Sequence, residues 1–203
     1  MMRNTHIAIG VASAVAITNP SNIPECLVAI MGGAIGSVIG DIDIMDGDYK
    51  NDDFFQKFIG IKIAGMILFL DFLLQAGICE YIINRDRTLV IIGGIAFCIL
   101  CIVGIRSAHR TFTHSLLGLF LFSAALSFLY PPVVISFAIG FVSHIVLDLL
   151  NKKKVRILYP SKYKTCLGLC YANKKLNTIL MYIGTISSVL LVLKCLLSYY
   201  KII

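Results

Sequence analysis

Seven apolar segments, each bounded by polar or turn-forming residues, limit what this 203-residue chain can fold into. The chain is 58% hydrophobic and 14% charged, whereas soluble domains carry about 25% charged residues. This balance predicts an all-α fold, a polytopic membrane helical bundle. The apolar segments cover residues 6–17, 26–40, 58–78, 89–105, 115–130, 133–150 and 176–197.

The first two segments are shorter than the roughly 20 residues that a transmembrane helix needs. Residues 18–24 between them contain two prolines and two asparagines, which is typical of a turn. Both segments are rich in Gly and Ala, which allow helices to approach closely. We therefore expect a short N-terminal helical hairpin, partly buried, beside about five long transmembrane helices.

The chain is expected to form one membrane-embedded domain over residues 1–203. Its motif-bearing core covers residues 5–160, and a basic loop with the last helix follows in residues 151–203. The acidic residues cluster earlier, in a predicted loop at 41–57. Membrane lipids are the expected partners, and the oligomeric state stays open.

The distribution of basic residues predicts the orientation in the membrane. Lys and Arg concentrate in cytoplasmic loops, and residues 151–175 alone contain eight of them. With this loop in the cytoplasm, helix alternation brings 14 of the 18 basic residues to that side. We thus expect a multi-pass protein of the cell inner (plasma) membrane with a cytoplasmic N-terminus. Because topology accounts for the charge of +7, we expect no nucleic-acid partner.

Ionisable residues inside or beside the apolar segments are the candidates for function. The polar stretch 106–115 holds two of the four histidines of the chain. Under the predicted topology the candidates all lie near the cytoplasmic face, and ionisable groups at membrane depth are functional by default. They are His6, Asp41, Asp43, His109, Arg110, His114, His144 and Asp148.

The residue types in this set favour metal chemistry. His144 and Asp148 are four residues apart, so they project from one helix face. Imidazole and carboxylate groups together suit Zn²⁺, with Mn²⁺ or Fe²⁺ as alternatives. The seven His and Asp residues would suffice for one ion or for two ions about 3.5–4 Å apart, which assist phosphoryl transfer. Taken singly, each histidine is better explained as a hydrogen-bonded core residue, and only the joint occurrence of the set on one face favours metal ligands.

Two of the eight candidates also have predicted catalytic roles. Asp43, if it does not bind metal, is a candidate general base. Arg110 is a candidate for binding a phosphate group.

The motifs that carry these residues also resemble a known family. In order and rough spacing they match the YdjM-type family of inner-membrane metal-dependent hydrolases, over most of residues 5–160. The resemblance implies a metal-dependent hydrolase. A weaker, local similarity to the zinc phospholipase C and P1-nuclease group implies a metal-centred helical bundle and a phosphoester substrate. The matching motifs are Thr5-His6, Gly40-Asp41-Ile42-Asp43, the stretch from His109-Arg110 to His114-Ser115, Ser143-His144 with Asp148, and Leu158-Tyr159-Pro160.

These observations give one main hypothesis and two alternatives. The main one is a membrane-bound hydrolase acting on a phosphoester of a lipid or lipid-linked substrate. The first alternative is a metal-ion transporter or sensor with the same ligands, which would need a polar track across the membrane. Asp71 is the main candidate for such a track, although a structural ion pair or polar contact is the preferred interpretation of this residue. The second is a structural membrane protein whose polar residues only pair with each other.

Overall fold

The computed structural model describes residues 2–43, 59–169 and 175–199. Most of the predicted acidic loop, residues 44–57, and part of the basic loop, residues 170–174, lie outside the described residues. The helices are α1 Arg3–Thr18, α2 Ile23–Ile39, α3 Ile59–Leu74, α4 Ile78–Ile83, α5 Arg87–Arg106, α6 Leu116–Leu129, α7 Val134–Leu150 and α8 Lys175–Tyr199. Short 3-10 helices follow α2 at Gly40–Asp43, precede α6 at Phe112–His114 and precede α7 at Pro131–Val133.

The predicted all-α membrane bundle is confirmed. Four helical stretches in the described residues are long and apolar enough to cross a membrane: Ile23–Asp43, Arg87–Arg106, Pro131–Leu150 and Lys175–Tyr199. The second sequence segment is longer than expected, because α2 continues through the 3-10 helix to Asp43. The sequence pattern also missed α4, a six-residue helix that follows α3.

Helix α2 lies at the centre of the bundle, and small residues bring its neighbours close. A Cβ added at Gly36 would lie 2.9 Å from the backbone nitrogen of Phe141 in α7. A Cβ at Gly140 would lie 3.0 Å from the Cα of Gly33. Only glycine allows this approach, so α2 and α7 pack backbone against backbone, as small-residue interfaces do in membranes.

The outer helices present apolar side chains outwards. In the apolar 18-residue stretch of α5, only 11% of the residues are buried inside the bundle, and the share is the same in α8. In the corresponding stretch of Ile23–Asp43, which contains α2, the buried share is 67%. Ile95 and Ile99 of α5 and Ile183 and Leu190 of α8 are each more than half exposed. Such faces suit contact with lipid, and they leave α2 and α7 to carry buried polar groups.

After α7 the chain folds back over the end of the bundle as a hairpin, residues 151–167. An isolated antiparallel bridge joins Val155 to Thr165. The backbone nitrogen of Arg156 donates to the carbonyl of Arg110 at 3.1 Å, and that of Leu167 donates to the carbonyl of Leu149 at 2.7 Å. These bonds hold the basic segment beside the stretch that contains His109 and His114.

Candidate metal centre

The eight candidate residues come together from four parts of the fold. His6 lies in the first turn of α1, and Asp41 and Asp43 lie in the 3-10 helix that ends α2. The segment between α5 and α6 contributes three residues, and the last two turns of α7 contribute two. Six of the eight are at most 9% exposed: His6, Asp41, Asp43, His114, His144 and Asp148.

The tautomer of His144 follows from its hydrogen bond to the backbone. Its Nδ1 lies 2.7 Å from the carbonyl oxygen of Ser37 in α2. A carbonyl can only accept, so Nδ1 carries the hydrogen and donates it. In the neutral ring, Nε2 therefore keeps a free lone pair, and this atom points into the site.

Hydrogen bonds through Thr113 hold His114 in the same tautomer. The hydroxyl of Thr113 donates to Asp43 Oδ2 at 2.7 Å, so its oxygen can accept from His114 Nδ1, which lies at 3.1 Å. The free lone pair of His114 is again on Nε2.

The two lone pairs face each other, because His114 Nε2 and His144 Nε2 are 3.1 Å apart. Two lone pairs at this distance repel unless a cation lies between them. Two nitrogens bound tetrahedrally to one zinc ion at about 2.1 Å lie roughly 3.4 Å apart. The separation thus fits two ligands of one ion.

A proton can serve as the cation when no metal is bound. Burial by itself lowers the pKa of His114, but hydrogen bonds to Asp148 and Asp43 outweigh it and raise this pKa to about 9. A metal ion and a proton therefore compete for the same position.

Carboxylates complete two groups of ligand atoms. Asp148 Oδ2 lies 3.3 Å from His114 Nε2, and these two residues form one group with His144. His6, Asp41 and His144 form the other, with Asp41 Oδ1 3.8 Å from His144 Nε2. All ligand atoms of each group lie within 4.8 Å of one another, which is the spread expected around one ion.

The contacts of the His6 ring also favour a bound cation. Its ring stacks on that of His144 with centroids 4.0 Å apart, and its Nε2 lies 3.5 Å from Asp148 Oδ1. Its Nδ1 is buried and has no hydrogen-bond partner among the described residues. An unpaired buried nitrogen is costly, and when the proton of His6 is on Nε2, facing Asp148, the Nδ1 lone pair is available to a cation. The residues present therefore fit a divalent cation.

Asp43 lies behind the histidine rings, on their Nδ1 side. Its Oδ1 accepts from His109 Nδ1 at 2.7 Å, and its Oδ2 accepts from the backbone nitrogen of Arg110 at 3.1 Å as well as from Thr113. Carboxylates in this position orient histidine ligands and fix their tautomer. Asp43 belongs to neither ligand group in the described residues.

His109 and Arg110 form the rim. The His109 side chain is 30% exposed, and its Nε2 lies 3.4 Å from Arg110 Nε. The guanidinium of Arg110 contacts Asp148 Oδ2 at 3.1 Å and donates to the carbonyl of Lys153 at 2.8 Å. The backbone of Arg110 has a φ of 64°, in the left-handed region, which turns this side chain back over the site.

Asp71 does not join the site. It lies in the last turn of α3, where its oxygens accept from the backbone nitrogens of Ile78 at 2.9 Å and Cys79 at 2.8 Å. It holds the start of α4.

Sequence reasoning missed two groups that position the site. Thr113 links Asp43 to His114, and its place between His109 and His114 was the available signal. The Ser37 carbonyl that orients His144 gives no sequence signal, because every residue has a carbonyl.

Comparison with known proteins agrees with the motif resemblance. No match was found among the curated proteins or the solved structures. The model of one family, described as YdjM inner membrane protein, matches residues 1–202. The chain therefore belongs to the YdjM inner membrane protein family.

Proposed function

We propose that this protein is a membrane-embedded, metal-dependent hydrolase of phosphoester bonds in a lipid or lipid-linked substrate. The observation that carries the proposal is the pair of facing Nε2 atoms of His114 and His144, 3.1 Å apart and flanked by carboxylates. The family membership supports the membrane location.

The proposed cofactor is one or two divalent ions. Zn²⁺ suits the nitrogen-rich ligand set best, with Mn²⁺ or Fe²⁺ as alternatives. Both ligand groups include His144, and the single free lone pair on its Nε2 can bind only one ion. The two groups together therefore favour one ion. If a second ion binds, Asp148 would help to hold it, because its Oδ1 faces His6 while its Oδ2 faces His114.

The protein side chains would divide the remaining work. When bound, the metal would lower the pKa of a coordinated water and neutralise phosphate oxygens. Arg110 would bind the phosphate with its guanidinium, which already faces the ligands. His109 is partly exposed and oriented by Asp43, which favours His109 for proton exchange and an orienting role for Asp43. The general-base role predicted for Asp43 itself is less favoured, because both of its oxygens accept hydrogen bonds.

Metal content is the direct test. Wild-type protein purified in detergent is expected to retain metal, and His114→Ala and His144→Ala are expected to lose it. Asp148→Asn should also abolish hydrolysis of a generic phosphodiester, whereas Asp71→Asn, the same change outside the site, should preserve it. Unchanged metal stoichiometry in both histidine variants would refute the proposal.

The transporter alternative receives less support. It needs polar groups in a track away from the centre, and Asp71 was its main candidate. Both oxygens of Asp71 accept from the start of α4, so this carboxylate is engaged by the backbone.

We also propose that the site faces the cytoplasm, because most basic residues lie at its end of the bundle. Cysteine labelling of intact cells tests this proposal. In a chain whose only cysteine is Cys166, in the basic hairpin, a membrane-impermeant maleimide should label only after cells are opened. Asn84→Cys in the same background, at the opposite end of α5, should label in intact cells. The reverse pattern would invert the orientation.

A further inference from the structure

A groove of about 440 Å³ lies between α1 and α7 on the outside of the bundle. Val142 of α7 is 44% exposed and Ile17 of α1 is 68% exposed, so the groove opens towards lipid. Small side chains such as Ser13 and Ala138 are half-buried and leave room for an occupant. Its lining includes Ile9, Ser13 and Ile17 from α1 and Ala138, Val142 and Leu147 from α7.

The groove begins one helical turn from the metal centre, where Ile9 and Leu147 pack against each other. His6, Ile9, Ser13 and Ile17 are spaced by three or four residues, so they share one face of α1. On α7, Leu147 precedes Asp148, which contacts His6 at 3.5 Å. The first turn of the shared face therefore belongs to the centre, and the following turns form the groove.

The length of the groove suits a hydrocarbon chain. Ile17 lies eight positions after Ile9 on α1, which corresponds to a rise of about 12 Å at 1.5 Å per residue. One leaflet contributes about 15 Å to a hydrocarbon core of about 30 Å. A chain that starts at the metal centre would thus follow the groove through most of one leaflet.

The charge beside the centre suits an anionic head group. Residues 151–169 contain no Asp or Glu, and the hairpin is bonded to the backbone of Arg110. A basic, acid-free segment attracts and concentrates anions. The basic residues of this segment are Lys152, Lys153, Lys154, Arg156, Lys162 and Lys164.

We infer that the groove between α1 and α7 binds one hydrocarbon chain of an anionic lipid phosphate, whose phosphate lies at the metal centre beneath the basic hairpin. This inference rests on the proposed function and extends it to the substrate class and its bound position. A bilayer lipid is the natural source, because the groove opens towards the hydrocarbon region while the ligands lie at the helix ends.

Photocrosslinking in detergent tests the inference without requiring turnover. The probe is a 12-carbon alkyl phosphonate with a diazirine near the chain end, whose carbon–phosphorus bond resists phosphoester hydrolysis. Crosslinks are expected in residues 9–17 and 138–147, mapped by mass spectrometry. A probe with the same chain and a trimethylammonium head should crosslink there at least tenfold less, because the basic hairpin repels it.

Groove-filling variants provide the matched comparison. Ala138→Phe should reduce phosphonate crosslinking at least fivefold while keeping the metal content, because position 138 is six residues from His144. Ser13→Phe is a second variant from the other wall. Ala96→Phe, the same substitution on the outer helix α5, should leave crosslinking unchanged.

The outcomes separate the inference from the proposed function. Equal crosslinking by the two head groups, or equal crosslinking in Ala138→Phe and Ala96→Phe, would overturn the inference. A change in oligomer size caused by Ala138→Phe, with no phosphonate crosslinks in the groove, would assign the groove to a second copy of the chain and also overturn it. Groove crosslinks in a protein without metal or hydrolysis would instead overturn the proposed function.

Discussion

Substituting Gly40 by Ala tests the metal centre without removing any ligand. Gly40 has a φ of −58° and a ψ of −38°, which any residue adopts, so the change adds no backbone strain. The new Cβ, however, would lie 2.6 Å from His144 Cδ2, about 1 Å inside van der Waals contact. The His144 ring must therefore move by roughly 1 Å, whereas metal–ligand distances tolerate about 0.2 Å.

We expect Gly40→Ala to lower metal affinity by about 100-fold, the upper end of the effect of disturbing the groups that orient a ligand. This factor corresponds to about 2.7 kcal/mol. The assay is competition between the protein and a fluorescent chelator. Gly94→Ala is the matched control, because a Cβ at position 94 meets nothing within 4 Å. Equal affinities of the two variants, with normal helix content in both, would refute the geometry assigned to His144.

Three further predictions concern the surroundings of the metal. The pKa of His114 is raised to about 9 in the folded protein, so folding favours its protonated form. Metal-free protein should therefore lose about 3 kcal/mol of unfolding free energy as the pH rises from about 6.5 through 9, measured by denaturant unfolding. An unfolding free energy that rises with pH over this range would contradict the prediction. Metal-loaded protein should not show the loss, because the ion replaces the proton. Arg110→Gln should raise KM for a phosphodiester about tenfold with unchanged metal content; an unchanged KM would exclude phosphate binding by this side chain. Asp43→Asn should lower kcat by 10- to 100-fold, because Asp43 orients His109 directly and His114 through Thr113, whereas an unchanged kcat would show that Asp43 does not orient the site.

The helices were largely predictable because their apolar segments are long and sharply bounded. Segment 133–150 corresponds to α7 at Val134–Leu150, and segment 89–105 to α5 at Arg87–Arg106. The end of α2 was missed because the apolar pattern stops at Gly40, although the backbone continues helically to Asp43. Helix α4 was missed for a different reason. It has six residues, too few for a periodic pattern, and Asp71 holds its start from the preceding helix.

The candidate residues of the site were predictable as a set, but their arrangement was not. Histidines and aspartates stand out in an apolar chain, and alternation of helices assigns them to one face. Which nitrogen of His144 faces the centre depends on the Ser37 carbonyl, a contact across 107 positions of the chain. The orienting position of Asp43 likewise depends on Thr113 and on the backbone of Arg110. Such contacts follow from helix packing and have no local pattern.

The depth of the centre in the bundle itself favours an amphiphilic substrate. An Asp at the middle of a transmembrane helix costs about 2.5–3.5 kcal/mol, so buried carboxylates are more stable near helix ends, where loops supply donors. Asp148 follows this rule, because it lies in the last turn of α7 and the loop residue Arg110 reaches it at 3.1 Å. A ligand set confined to the helix ends can reach only groups at the level of the lipid head groups. A molecule that reacts there and keeps its apolar part in the bilayer meets this constraint without leaving the membrane, whereas a fully water-soluble phosphoester would gain nothing from the groove between α1 and α7.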